Sequence, residues 1–139
     1  MSLHKQFATN HAKEVDGTWI DYGPNEDGTV PGFKLARMGK ANKRYTKALD
    51  QATRPHRRAI ELKALSEELS EKLLLDVFVV TVLLDWRNVQ DKDGKPIAFN
   101  ADNAKALFKE LPELYEDLQD NAKQSALFRD EAVEEEVKN

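Results

Sequence analysis

The fold class is decided by one apolar stretch, residues 73–86, which has the sequence LLLDVFVVTVLLDW. A membrane-spanning helix needs roughly 20 apolar residues. This stretch is shorter and contains Asp76 and Asp85, so we expect it to form a buried core element. No turn signal separates it from the segment before it, whose apolar residues fall on one helical stripe: Ile60, Leu62, Leu65, Leu69 and Leu73. We therefore predict a helix that runs through both segments and is buried on all sides towards its end, over 77–84.

The β-branched run at 77–82 is also compatible with a central strand. Helix is the preferred interpretation, because partner strands for a central strand are hard to find elsewhere in the sequence. The pattern of residues leaves this alternative open.

Downstream of the apolar stretch, the sequence gives clear turn and capping signals. Residues 91–96 form a tight turn in which Gly94 supplies a positive φ, and Asn100 is a good N-cap for a helix over 101–111. Pro112 either ends that helix or opens the next one at its first position. The final helix carries its apolar residues towards the acidic C-terminal residues: Leu114, Leu118, Ala122, Ala126 and Phe128.

Upstream, a helical pattern begins at Asn42, and Pro55 suits the first turn of a further helix. Residues 15–22 and 30–37 predict two short strands, joined by a loop of turn-forming residues at 23–29. Pro31 and Gly32 indicate that the second strand lies at a sheet edge. The predicted fold class is mainly α (α+β), a helical bundle of about four to five helices with a small N-terminal two-strand β element.

The length of 139 residues suits one domain. Residues 1–14 show no clear period and are interpreted as a flexible N-terminal arm, with a short helix as the alternative. Residues 15–130 are expected to form a single mostly helical domain, and 131–139 an acidic C-terminal tail.

Charge is distributed unevenly behind a net value of −4. Residues 1–63 carry 12 Lys/Arg and 7 Asp/Glu, a balance of +5, whereas residues 64–139 carry 9 and 18, a balance of −9. Such polarity favours self-association or the steering of a charged partner, although ordinary solvated faces also explain it. The candidate partner-binding residues are the cations of the basic region: Lys43, Arg44, Lys47, Arg54, Arg57 and Arg58.

The sequence gives no constellation that would carry out catalysis or bind a metal or cofactor. There is no cysteine, and the three histidines lack metal-ligand spacing. The segment from Asp91 starts like a calcium loop, but Gly94 falls at the fourth position instead of the sixth. Asp76 and Asp85 would be general acids only if desolvated, and a position at an exposed helix edge is the simpler interpretation. We therefore expect a binding protein rather than an enzyme.

Residues 84–100 carry a resemblance to a known family. Trp86, Val89, Asp91, Gly94 and Pro96, followed by Phe99 and Asn100, match the pattern W-x-x-V-x-D-x-x-G-x-P-x-x-F-(T/S/N). A helix ending in Leu111-Pro112-Glu113-Leu114 follows. This order resembles that of tail assembly chaperones of long-tailed bacteriophages, over about residues 75–130. Asn100 stands where Thr or Ser is commoner, which is an equivalent cap. The matching residues are structural rather than catalytic.

The resemblance implies a protein of the bacterial host cytoplasm that binds the tape measure protein and helps recruit the tail tube protein of a phage. It also implies a homo-oligomer without cofactor or membrane association. The first residues, which lack the apolar run of a signal peptide, agree with this location. Such proteins commonly have a longer form made by a programmed frameshift. Val137-Lys138-Asn139 is compatible with a slippery codon heptamer, so we expect such a form here.

The competing interpretation is a generic helical adaptor or regulatory protein, with nucleic-acid binding through the basic 40–58 region. This region is short and lacks interleaved aromatic residues, and the pI near 5.4 opposes non-specific attraction to phosphates. The sequence therefore argues against nucleic acid as the partner.

Overall fold

The computed structural model describes residues 2–130, which form helices packed on a three-stranded antiparallel sheet. The elements in chain order are α1 (Leu3–Phe7), α2 (His11–Asp16), β1 (Thr18–Asp21), β2 (Gly32–Leu35), α3 (Lys43–Thr53), a first 3-10 helix (Arg54–His56), α4 (Arg57–Glu61), α5 (Glu67–Thr81), β3 (Leu83–Arg87), α6 (Ala101–Glu110), α7 (Pro112–Lys123) and a second 3-10 helix (Ser125–Phe128). The predicted class, mainly α with a small β element, is confirmed. The predicted acidic tail, 131–139, lies outside the described residues.

The decisive apolar stretch is divided between a helix and a strand. α5 continues to Thr81, as predicted, but Val82 is a turn residue and β3 begins at Leu83, so the helix predicted over 77–84 is wrong from Val82 onward. The backbone N–H of Ala36 donates to the carbonyl of Val82 at 2.8 Å, which connects the end of α5 to the residue after β2. Pairing with a distant strand therefore decides the structure of residues that have no local preference.

The predicted stripe from Ile60 to Leu73 does not belong to one helix. α4 ends at Glu61, Lys63 has a positive φ of 54°, and a new helix starts after Ser66. The Ser66 hydroxyl accepts a hydrogen bond from the Leu69 N–H at 3.2 Å and thereby caps α5. Ile60 and Leu62 are consequently left exposed, by 42% and 67%.

β2 is the central strand of the sheet, so the prediction that it lies at an edge is wrong. It pairs with β1 on one side and with β3 on the other. β3 is a third strand that the sequence did not predict. Pro31 precedes β2, where its missing N–H breaks no pairing. Gly32 leaves room for an ion pair between the outer strands, because a Cβ there would lie 2.4 Å from the Asp21 carboxylate. That carboxylate accepts a hydrogen bond from Arg87 at 3.0 Å.

The core lies between the sheet and helices α3, α5, α6 and α7. Buried Asn42 links two of them, since its side chain accepts from the Tyr45 N–H at 3.3 Å and donates to the Thr81 carbonyl at 3.1 Å. The helix predicted to begin at Asn42 is thus confirmed. The largest side chains buried in full are Phe78, Phe128, Leu35, Leu83, Leu118 and Val82.

Residues 3–16, most of which were interpreted as a flexible arm, form α1 and α2. The Asn10 N–H donates to the carbonyl of Phe128 at 2.7 Å, and the Lys13 ammonium donates to the carbonyl of Arg129 at 2.8 Å. Buried Glu14 lies 3.7 Å from the guanidinium of Arg37, which stacks over the Phe128 ring at 5.4 Å. α2 is thereby held against the second 3-10 helix.

Gly17 connects α2 to β1 in a backbone conformation that only glycine adopts readily, with φ 94° and ψ 161°. A Cβ there would lie 2.8 Å from Leu84 and 3.0 Å from Lys34. We expect Gly17→Ala to lower the free energy of unfolding by about 1–3 kcal/mol in urea denaturation. Gly23→Ala is the matched control, because a Cβ at Gly23 meets nothing within 4 Å. Equal stability of the two variants would contradict the prediction.

Candidate protein-binding surface

The six predicted partner-binding cations are all exposed, and they lie on α3, the first 3-10 helix and α4. We call these six residues the basic face: Lys43, Arg44, Lys47, Arg54, Arg57 and Arg58. On α3, Lys43 and Lys47 are one helical turn apart, whereas Tyr45 and Leu49 pack into the core from the opposite side. Lys43 and Lys47 therefore share one solvent-exposed side of α3, whereas the Arg44 guanidinium lies 3.5 Å from the Val15 carbonyl of α2.

The two ends of the basic face differ in their ion pairs. Arg54 bonds to the Asp50 carboxylate, and Arg57 lies 4.0 Å from it. Among residues 2–130, no carboxylate lies within ion-pair distance of Lys43 or Lys47. The same holds for Arg44 and Arg58, so four of the six cations have no ion-pair partner among the described residues and three of these four lie on α3.

The two carboxylates of the apolar stretch do not form a desolvated acid–base pair. Asp76 lies 2.9 Å from the Lys105 ammonium, and this hydrogen bond raises the pKa of Lys105. Asp85 is exposed and accepts a hydrogen bond from the N–H of Trp86 at 2.8 Å. Both positions agree with the interpretation that places these residues at exposed edges.

The residues from Trp86 to Asn100, which carry the sequence pattern of the family resemblance, form one structural unit beside the sheet. The Trp86 indole N–H donates to the Ile97 carbonyl at 2.9 Å, and the indole packs edge-on against Phe99 at 5.2 Å. Between them, Gly94 has φ 81°, as predicted for the turn. The Asn100 side chain accepts from the Asn103 N–H at 2.8 Å, which confirms the predicted cap of α6. Pro112 opens α7 at its first turn, one of the two alternatives.

An apolar groove of about 190 Å³ lies between this unit, the β1–β2 loop and the corner of α6 and α7. Its apolar lining comes from all three segments: Tyr22, Pro31, Phe33, Val89, Leu107, Leu111 and Leu114. Leu111 stands at the corner and is 48% exposed. A second hollow of about 360 Å³ shares Val89 and Gln90 with the groove and continues to Trp86 and Phe99. The two hollows therefore lie on either side of Val89 and Gln90.

Hydrogen bonds connect the segments that border the hollows. The Asn88 side chain donates to the Val30 carbonyl at 2.9 Å, and that of Asn25 donates to the Asn88 carbonyl at 2.9 Å. The Gln90 amide donates to Asp27 at 2.9 Å. The Asp27 carboxyl has a lowered pKa, chiefly because it accepts a hydrogen bond from the Thr29 hydroxyl. The β1–β2 loop is consequently fastened to the segment after β3.

The groove was not predicted from the sequence. Leu107, Leu111 and Leu114 follow helical spacing, which is a visible signal, but the other wall depends on the folding of residues 22–31 against them. At this wall Tyr22 donates to the Asp117 carboxylate at 2.5 Å. Burial, together with Asp117, raises the pKa of the Tyr22 phenol.

A family model described as YdaY prophage protein matches residues 40–139 of the chain. The chain belongs to the YdaY prophage protein family. It is therefore a phage-derived protein, which confirms the phage association of the predicted resemblance. The matched region includes the basic face, β3, the Trp86–Asn100 unit and both helices at the groove. No curated protein and no solved structure matches the chain.

Within residues 2–130, no group of three or more His, Asp or Glu side chains is arranged to hold a metal ion. None of the helices described for the chain has the length and apolar character required to span a bilayer.

Proposed function

We propose that this YdaY-family protein is a tail assembly chaperone that binds the tape measure protein of its phage in the cytoplasm of the bacterial host. In this proposal it assists tail tube assembly as a homo-oligomer, by association alone, without a catalytic step or a cofactor. The observation that carries the proposal is the apolar groove at Leu107, Leu111 and Leu114, built beside the Trp86–Asn100 unit that carries the resemblance.

The size of the groove favours a side-chain anchor over a small molecule. Small-molecule pockets typically measure about 300–1,000 Å³, and the groove measures about 190 Å³. An amphipathic helix places apolar residues at three- and four-residue spacing into such a groove. Glu113 and Asp117, on the exposed side of α7, would favour basic residues along the edge of that helix.

The proposal is tested by co-expressing this protein with the tape measure protein from the same prophage. We expect co-elution and an increase in soluble tape measure protein. Leu111→Glu is expected to weaken the complex at least about tenfold, because a charge at the groove loses its hydration on binding. Val80→Glu is the matched control, since Val80 is 65% exposed on α5 and does not line the groove.

Affinity for the tape measure protein is measured by titration with purified variants. A failure to form any complex would overturn the proposed function, and an equal loss in both variants would overturn the assignment of the groove. The frameshifted longer form stays a prediction, tested by reading the codons of Val137, Lys138 and Asn139 and the overlapping frame.

The competing function is a helical adaptor that binds nucleic acid through the basic 40–58 region. The exposure of all six predicted cations on the basic face is the observation in its favour. It predicts salt-dependent retardation of DNA or RNA that is lost in Arg54→Gln, Arg57→Gln, Arg58→Gln. Retardation of this kind without a tape measure complex would select this function over the chaperone.

A further inference from the structure

We propose that copies of this chain assemble head to tail, with the exposed apolar side of α1 in one copy inserted into the apolar groove of the next copy. Leu3 and Phe7 supply the inserted side chains, and Leu107, Leu111 and Leu114 receive them in the groove. This interface rests on the homo-oligomer of the proposed function, but its test needs no tape measure protein.

α1 exposes two large apolar side chains on one side. Leu3 is 74% exposed and Phe7 is 63% exposed. They are four residues apart in a helix, so they lie on the same side, one turn from each other. An amphipathic helix places side chains at this spacing into an apolar groove. Single exposed apolar residues are common on monomers, whereas an aligned pair forms a patch that a second surface would remove from water.

α1 has its helical conformation before any second copy binds. The Ser2 hydroxyl accepts a hydrogen bond from the Lys5 N–H at 3.1 Å and caps the helix. At the other end, the Ala8 N–H donates to the His4 carbonyl at 2.8 Å. α1 also packs against the second 3-10 helix. The chain therefore loses little conformational freedom when α1 binds, which favours association through this helix.

α1 lies at the opposite end of the sheet from the groove of its own copy. Pro31, just before β2, lines the groove, whereas Arg37, after β2, lies over the Phe128 ring. Chain in strand conformation rises about 3.3 Å per residue, so these two ends are roughly 20 Å apart. Phe7 precedes Asn10, which is bonded to the Phe128 carbonyl, by three residues, a reach of at most about 11 Å. The groove that α1 fills therefore belongs to a second copy.

The groove has a size and a charge that suit this side of α1. Its volume of about 190 Å³ is small for a separate small molecule, but it suits an aromatic side chain such as that of Phe7. At the corner of α6 and α7, which borders the groove, Glu110 and Glu113 are exposed. Neither has an ion-pair partner among residues 2–130. α1 contains basic but no acidic residues, so opposite charges border the apolar contact.

The contact joins two different surfaces, which determines the kind of assembly. Such head-to-tail contacts generate a ring if the rotation between copies closes, and an open filament if it does not. The wild type should therefore grow beyond a dimer. Two inserted side chains bury much less than the roughly 800 Å² per partner of a standard interface, so we expect a weak association that depends on concentration.

Sedimentation velocity of the full chain over about a hundredfold range of concentration tests the interface. We expect the sedimentation coefficient of the wild type to rise with concentration. Phe7→Glu and Leu111→Glu should each weaken association at least about tenfold, because a charge at the contact loses its hydration. Both replace exposed side chains, so their circular dichroism should match the wild type. Leu62→Glu is the matched control, since Leu62 is 67% exposed and lies outside α1 and the groove.

An equimolar mixture of the two interface variants tests the head-to-tail arrangement. Phe7→Glu keeps an intact groove, and Leu111→Glu keeps an intact α1, so one copy of each can form a single junction that does not extend. We expect the mixture to form a 1:1 dimer and nothing larger, although each variant alone stays monomeric at the same concentration.

A wild-type chain that is monomeric at every concentration overturns the proposal, and one that stops at a dimer overturns the head-to-tail arrangement. Association that survives in Phe7→Glu, or is lost equally in Leu62→Glu, overturns the role of α1. A mixture that stays monomeric overturns the pairing of α1 with the groove. Because its groove is intact, Phe7→Glu should still bind the tape measure protein, so the interface and the proposed function can fail separately.

Discussion

Replacement of Phe78 with alanine is expected to lower the free energy of unfolding by about 3–5 kcal/mol. Phe78 is 0% exposed on α5, and its ring packs edge-on against Phe108 at 5.9 Å and Tyr115 at 5.1 Å. These two rings belong to α6 and α7, so one side chain connects three helices. A cavity at this point removes transfer free energy and aromatic contacts together. A domain of this size has a total stability of about 5–15 kcal/mol, so the loss would be a large fraction of the total.

Urea denaturation followed by circular dichroism measures the effect. We expect a lower midpoint with an unchanged slope, because the two-state transition still exposes the same surface. Val80→Ala is the control, two residues along the same helix and 65% exposed, and its effect should stay within about 0.5 kcal/mol. A loss below about 1.5 kcal/mol in Phe78→Ala would contradict the central position of this ring.

Those parts of the fold that depend on short-range chemistry could be predicted from the sequence. Asn42 and Asn100 cap α3 and α6 through their own side chains, and Gly94 and Pro112 act through their own backbone restrictions. Each of these residues has a preference that neighbouring residues suffice to reveal. The predictions at Asn42, Asn100 and Gly94 are confirmed for that reason, and Pro112 takes one of its two predicted positions, at the start of α7.

The third strand could not be predicted in the same way. Residues 77–87 are apolar enough to be buried as helix or strand, and no glycine or proline marks the change at Val82. β3 forms because it pairs with β2. In this pairing Trp86 of β3 lies opposite Phe33 of β2, which comes more than 50 residues earlier in the chain. The edge assignment of β2 rested on Pro31 and Gly32, and it is wrong because Pro31 lies before the strand and Gly32 pairs opposite Arg87 of β3.

The same distinction between local and long-range signals applies to the candidate binding surface. The basic face was predicted because charge on consecutive helices is visible in the sequence, and exposed residues need no partner for their placement. The groove needs Pro31 and Leu111, 80 positions apart, to lie together. Nothing local in either segment indicates that approach.

The second large effect is expected at Trp86, where packing and hydrogen bonding can be separated. Trp86→Ala should lower the free energy of unfolding by about 3–5 kcal/mol, since the indole is 6% exposed and packs against Phe33 and Phe99. Trp86→Phe keeps an aromatic ring but removes the N–H that donates to the Ile97 carbonyl. A buried acceptor left without its donor costs about 1–3 kcal/mol, so this variant should be intermediate.

Hydrogen exchange shows where the loss occurs. The Ile97 N–H donates to the Val89 carbonyl at 2.9 Å, and the Asp91 N–H donates to the Lys95 carbonyl at 2.8 Å. In Trp86→Phe these two amides should exchange faster while the amides of α5 keep their protection, because the lost bond anchors only this loop. Faster exchange throughout α5, or no change at Ile97, would contradict that assignment. Since Val89 and Gln90 line the groove, a loosened loop should also weaken a partner bound there, although Leu107, Leu111 and Leu114 remain in place.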